Sequence, residues 1–193
     1  MTYLLLVKHS LPEIIPGLPA ERWRLSEEGQ RRCDLLAERL AAYAPEMIVS
    51  SREPKAQETA QLVARRLSLP VEIASGLHEH ERWKVPFTGQ EQFEAEIARF
   101  FAQPDQLVFG EETARQAQQR FQQAVMAALA RYPCQTLVVV AHGTVISLFA
   151  AQYCGVEPFP FWKRLGLPAC AVLSQPQLTL LQVITEIKKG MPG

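Results

Sequence analysis

The sequence predicts an α/β fold, a three-layer α/β/α sandwich around a mainly parallel central sheet. Three observations carry that expectation. Short apolar runs that read as strands alternate with longer segments of helical periodicity along the chain. Tyr3 to Val7 and Thr136 to Ala141 are near-continuous apolar runs, as strands buried on both faces require. The 193 residues, 48% apolar and 21% charged, are enough for one domain with a sizeable core.

Each element has its own local reason. Tyr3 to Val7 is the first strand. Ser26 is suited to cap a helix, and Glu27 and Glu28 favour its positive end. Cys33, Leu36, Ala37, Leu40 and Ala41 then repeat on one face up to about Tyr43. Met47 to Val49 reads as a short strand, and Pro54 opens a second helix running to about Leu67. Val71 to Ala74 is a further strand. Helices are expected over Gln90 to Ala102 and Glu112 to Arg131, the second rich in Gln and Ala. Thr136 to Ala141 is the clearest strand of all, followed by a helix over Val145 to Tyr153. Two late β-like runs, Ala171 to Ser174 and Leu178 to Val183, flank Gln175-Pro176-Gln177 and are expected to pair as a hairpin.

Composition narrows the function classes. Twenty basic and twenty acidic side chains give a formal net charge of zero, so no global field draws a nucleic acid or an anionic membrane. The four cysteines, Cys33, Cys134, Cys154 and Cys170, lack the paired spacing of a zinc site, and no disulfide framework is expected. The N-terminal apolar run lacks a basic lead and ends at Lys8, so it reads as a strand rather than a signal peptide. Leu137 to Ala151 is the most apolar stretch, but it is too short to span a bilayer and is broken by His142, Gly143 and Ser147. A cytoplasmic protein with reduced thiols is the expectation. Among the twenty cations, fourteen are Arg and six are Lys.

In sheets of this kind ligands bind beyond the carboxyl ends of the strands. Those positions hold Lys8-His9-Ser10, Ser50-Ser51-Arg52, Leu77-His78-Glu79-His80 and Ala141-His142-Gly143. All four histidines fall at two of these strand ends or in the loop after a third. A lone strand-end histidine is more often a satisfied structural group than a catalyst. Two of them, 133 positions apart and each beside a small residue, weaken that bland reading. Neither has a partner spaced for metal binding, and His78 with His80 lacks further ligands nearby, so no metal site is expected.

Taken together these segments resemble the histidine phosphatase superfamily, the phosphoglycerate mutase-like proteins. Val7-Lys8-His9-Ser10 stands where that family has R-H-G after its first strand. Ser51-Arg52-Glu53-Pro54-Lys55-Ala56-Gln57-Glu58-Thr59 matches S-x-x-x-R-A-x-x-T. Leu77-His78-Glu79 matches the L-x-E acid, and Ala141-His142-Gly143 the S/A-H-G that ends an apolar strand. Leu25-Ser26-Glu27-Glu28-Gly29 resembles the entry to the family's first helix, and Gly110-Glu111 the pair before its penultimate long helix. Order and spacing fit from residue 3 to about 184, within a single domain of 1–193 that ends in a tail over 185–193.

The resemblance implies a role for each match. His9 attacks phosphorus and becomes a phosphohistidine, a step suited to an imidazole that is neutral near pH 7. Glu79 protonates the leaving alkoxide and then activates water, and a raised pKa is expected for it near a phosphate pocket. Lys8, Lys55, His142, the Gly143 N–H, Ser10 and Arg52 are the phosphate-binding candidates, with His142 also counted as catalytic. No cofactor is implied.

The departures from the pattern are specific. Lys8 and Lys55 replace two Arg, Ser10 replaces Gly, and Ile15 stands where many members place a pocket Asn. Lys keeps the charge but loses the planar fork, about 1 to 3 kcal/mol of charge-assisted bonding per site. An active metal-independent phosphomonoesterase is expected. A weakened or inactive member that binds a phosphorylated ligand, and a mutase-type phosphotransferase, remain as alternatives. The chain is short for a mutase. The expected partner is a small phosphorylated metabolite or a phosphoprotein. The segment His78 to Gly89, with Glu81, Arg82, Trp83, Lys84 and Phe87, lines either the substrate mouth or a packed lid. Phe159, Phe161 and Trp162 either cap the sheet or form a contact surface for a homodimer, while Phe93 and Phe100 belong to the core.

Overall fold

A computed structural model describes residues 1–82, 85, 89–185 and 187. Six strands form one sheet: β1 (Tyr3–Lys8), β2 (Met47–Ser50), β3 (Val71–Ile73), β4 (Leu137–Ala141), β5 (Ala169–Ser174) and β6 (Leu180–Ile184). Their order across the sheet is β3-β2-β4-β1-β5-β6. The first four run parallel, with Val7 opposite Val140 and Ser50 opposite Val140 on its other side. β5 and β6 are the expected hairpin, antiparallel to β1 and to each other. The predicted α/β class and mainly parallel sheet are what the structure has.

The layers follow from the alternation of side chains along each buried strand. Leu5, Val7, Ile48, Val138 and Val140 face one side. There they meet Cys33, Leu36 and Leu40 of α1 (Glu27–Ala41) and Ala60 and Val63 of α2 (Pro54–Leu67). Leu4, Leu6, Val49, Leu137 and Val139 face the other side. They pack on Ile97 and Phe100 of α3 (Gln90–Ala102), Phe121 of α4 (Ala114–Arg131) and Phe149 of α5 (Gly143–Cys154). Phe100 is wholly buried and Phe93 packs partly buried beside it, as their helix-face spacing predicts.

Local signals account for most boundaries. Ser26 caps α1 by accepting the Gly29 N–H at 3.0 Å, and Pro54 opens α2. α4 starts at Ala114 rather than Glu112 because Thr113 and Gln116 form a reciprocal capping box. α5 begins two residues earlier than its apolar pattern, directly after His142. The sequence reading left out α6 (Pro158–Arg164) and a 3₁₀ turn at Ala20–Arg22. α6 is seven residues long with two prolines, so it shows no helical period. Tertiary packing makes it: Pro158 suits the first turn, and Phe161 drops into the core.

Candidate active site

Main-chain pairing gathers the site. The His9 N–H donates to the Ala141 carbonyl at 3.0 Å, and the Ser51 N–H to the Val140 carbonyl at 2.9 Å. The ends of β1, β2 and β4 are thereby side by side, with His9, Ser51 and His142 in one cluster. The rings of His9 and His142 meet edge to face, 5.2 Å between centroids.

Hydrogen bonding fixes the tautomer of His9. His9 Nδ1 lies 2.7 Å from its neighbour's carbonyl, Ser10 O, which can only accept, so Nδ1 carries the hydrogen. Nε2 is left with a free lone pair. Burial most of all, then the positive charge of Lys55 and competition with the neighbouring His142 for a proton, hold His9 well below the ordinary imidazole range. Ser51 Oγ accepts the Glu53 N–H at 3.3 Å and lies 2.9 Å from His142 Nε2, which also has Glu53 Oε1 at 3.4 Å. The remaining nitrogen, His142 Nδ1, is buried without a partner among the described residues. Burial and Lys55 keep His142 neutral too.

Two lysines enter from different elements. Lys8 Nζ donates to the Leu165 carbonyl at 2.8 Å, and its chain runs past Gly143, where a Cβ would lie 3.2 Å from Lys8 Cε and from Trp162 Nε1. Lys55 Nζ donates to the Ala20 carbonyl at 2.7 Å and to the Glu53 carboxylate. The Ala20–Arg22 turn thus closes over α2. Burial, opposed by Glu79, brings Lys8 from 10.5 down to about 8. Its charge is present at pH 7 and is lost as pH rises through about 8. Inorganic phosphate is therefore expected to bind several-fold more weakly at pH 9 than at pH 7.5, whereas Lys8→Arg flattens that loss because a guanidinium stays charged. Calorimetric titration across that interval checks this. A wild-type curve as flat as the variant's removes Lys8 from phosphate binding.

Glu79 is held at the start of α5. Its Oε2 accepts from the Thr144 N–H at 3.3 Å and hydroxyl at 3.1 Å, and its Oε1 accepts the His80 N–H at 2.9 Å. Burial is the strongest influence and pushes the carboxyl up. Arg82, His142 and the His80 N–H together outweigh it, so the group lies below the ordinary carboxylate range. This corrects the raised pKa expected from the sequence. In the free pocket Glu79 faces cations and a helix start, not an anion. A phosphate dianion beside it acts in the opposite direction and favours the protonated acid.

The loop that carries Glu79 is braced from α4. Arg120 donates to the carbonyls of Gly76, His78 and Glu79 at 2.8, 2.9 and 3.1 Å, and pairs with Glu112. Glu112 in turn accepts the Glu81 N–H at 3.0 Å. The Gly110-Glu111 pair crosses the same loop: Glu111 N–H donates to Glu81 O at 2.7 Å, and a Cβ on Gly110 would lie 2.3 Å from that oxygen. Only glycine permits this crossing.

The fold has its counterpart in known proteins. The family model of the histidine phosphatase superfamily (branch 1) matches residues 20–175. The chain belongs to that superfamily. Phosphatase-type chemistry is therefore the class in which this site works. The histidine phosphatase fold recurs in solved structures. Phosphoserine phosphatase of Entamoeba histolytica superposes with a TM-score of 0.73 at 20% identity, covering 96% of this chain and 98% of its own. Mycobacterial glucosyl-3-phosphoglycerate phosphatase gives 0.68 at 22%, covering 89% of each chain. An Escherichia coli protein with a proposed alpha-ribazole-5'-P phosphatase assignment gives 0.69 at 22%, over 99% of both chains. No curated protein sequence matches the chain.

Against this histidine phosphatase frame, the structure brings His9, His142, Lys8, Lys55, Glu79 and Gly143 together at the strand ends. Two candidates differ. Ser10 uses its N–H on Thr59 Oγ1 at 3.0 Å and its hydroxyl on Gly29 O at 2.7 Å, so as it stands it has no donor left for an oxyanion. Its work is to seat the loop after His9. Arg52 is exposed between the buried Ser51 and Glu53. His78 and His80 are structural: His78 Nε2 pairs with Glu81 at 3.0 Å, and His80 packs on Phe100 and Phe109. Phe159 stacks on Trp162, which meets Phe93, and Arg82 lies 4.7 Å over the Phe93 ring. These aromatics pack within the chain along the side of the pocket. Arg82, in the segment expected to be either mouth or lid, lowers both the Glu79 carboxyl and the His142 ring through its charge. Trp83, Lys84 and Phe87 lie outside the described residues. Among the described residues no helix is long and apolar enough to cross a membrane.

Proposed function

We propose that the protein hydrolyses small phosphomonoesters through a phosphohistidine on His9, without a metal or other cofactor. The observation that carries the reading is the tautomer of His9: Nδ1–H is tied to Ser10 O, so the unprotonated Nε2 is the atom available for attack. In the first step Nε2 forms a bond to phosphorus as the ester P–O bond breaks. Lys8, Lys55 and His142 offset the charge on the non-bridging oxygens. Glu79, protonated once the dianion is beside it, gives its proton to the leaving alkoxide. In the second step Glu79 takes a proton from water as that water attacks phosphorus. The N–P bond breaks, and free His9 and inorganic phosphate result.

The substrate is a small phosphorylated metabolite or a phosphoprotein, and the protein works in the cytoplasm. Its neighbours are named for phosphoserine and glucosyl-3-phosphoglycerate, both phosphomonoesters, which makes these and alpha-ribazole phosphate the first compounds to try. Hydrolysis should survive EDTA. Brief reaction with labelled phosphoester, quenched in alkali, should leave acid-labile label on wild type and none on His9→Ala. A varied panel that gives neither hydrolysis nor label overturns the proposal.

A further inference from the structure

One buried carboxylate in the cluster has no part in the two steps above. Glu53, only 7% exposed, stands at the N-cap of α2, but its side chain makes no capping bond. It turns into the strand-end cluster instead. Its Oε1 accepts the Glu79 N–H at 2.8 Å and lies 3.4 Å from His142 Nε2. Its Oε2 accepts from Lys55 Nζ. A cation placed to meet a phosphoryl group therefore already holds an anion.

The charge count shows what this does. With both histidines neutral, Lys8, Lys55 and Arg82 stand against Glu53 and Glu79, a surplus of one positive charge. A phosphate dianion turns that surplus into a deficit of one, which the site makes good only by taking up a proton on Glu79. Without the Glu53 charge, the same dianion leaves the site neutral with no proton taken up. Removing Glu53 also frees a second Lys55 proton for the phosphoryl oxygens, because two of the ammonium's three are engaged. Like charges this close in a poorly solvated site repel strongly.

We propose that Glu53 is a resident anion that competes with the phosphoryl group for Lys55, keeping phosphate affinity low and speeding release of product phosphate. The inference rests on the reading of this pocket as a phosphoryl site. A purely structural Glu53, present only to satisfy Lys55, would leave phosphate binding unchanged or weaker on removal, because Lys55 would lose its positioning partner.

Glu53→Gln separates the two roles. It keeps the side-chain shape and an oxygen for the Glu79 N–H while removing the charge. Titration calorimetry with inorganic phosphate at pH 7.5 in EDTA is expected to give a Kd about tenfold or more below wild type. Product inhibition by phosphate should tighten in parallel. Glu53→Leu removes charge and acceptor together and should shift Kd in the same direction. It stands in if the Gln variant does not fold. A wild type that binds phosphate, beside folded variants that bind it equally or less tightly, overturns the role of Glu53 alone. A wild type that binds neither phosphate nor vanadate overturns the phosphoryl pocket and this inference with it.

Discussion

His9→Ala is expected to lower turnover of any accepted phosphomonoester by about 10⁴-fold or more, roughly 5.5 kcal/mol of transition-state stabilisation. The size follows from what is lost. Without Nε2 no covalent intermediate forms, and no other described side chain in the cluster can replace it. His142 Nε2 is engaged by Ser51 Oγ, and Lys8, brought down by burial to about 8, is still mostly an ammonium at pH 7 and donates to the Leu165 carbonyl. The fold should survive, because the backbone pairing of residue 9 with Ala141 is independent of the side chain. Phosphate binding should persist within a few-fold, since every pocket cation is retained. Steady-state assay with p-nitrophenyl phosphate beside phosphate calorimetry tests both halves. A variant that keeps more than a tenth of the wild-type rate would show that phosphorus is attacked by something else.

Gly29→Ala is expected to be the most damaging small substitution to stability, costing about 3 kcal/mol. A Cβ at this position would lie 2.0 Å from the Leu11 carbonyl oxygen and 3.0 Å from its carbon. Neither atom can yield, because Leu11 O accepts from both the N–H and the hydroxyl of Ser26, at 3.1 Å each. The first turn of α1 is thereby fastened to the chain just beyond His9. Ser10 is fastened to it from the other side, through its hydroxyl on Gly29 O. Relieving the clash must move α1 off that loop, so activity should fall along with stability. Urea unfolding monitored by fluorescence measures the first effect, and the p-nitrophenyl phosphate assay the second. An unfolding midpoint within error of wild type would mean that the loop is slack.

The parts legible in sequence were those with a local cause. Val138 to Ala141 reads as a strand because burial on both faces leaves no polar alternation. α2 announces its start by Pro54, whereas its stop at Ser68, in the left-handed conformation at φ 56°, has no such signal because Ser is not a residue that favours that conformation. His9, His142 and Glu79 were legible because parallel strands deliver their following residues to one edge. Other features depend on partners far away in the chain. Arg120 braces carbonyls more than 40 positions earlier, and a carbonyl leaves no trace in sequence. Glu53 falls at an unspecified place within S-x-x-x-R-A, and nothing local says whether it caps α2 or turns to Lys55. The lowered pKa of Glu79 likewise needed Arg82 and the start of α5 on the same carboxylate. α6 stayed hidden because its two prolines erase the period that marks a helix.

The position of β1 within the sheet has a consequence for how the molecule breathes. The strand that ends at His9, the proposed nucleophile, is fourth of six, with β4 on one side and the β5–β6 hairpin beyond it on the other. Fraying begins at edges, here the three residues of β3 and the outermost β6. Such excursions leave His9 and His142 seated. Glu79, by contrast, rides on the loop after β3 and is held by Arg120, Glu53 and Thr144, side chains from three different helices or their caps. The proposed attacking ring thus depends on the sheet, and the proposed proton donor on the helices that cover both its faces.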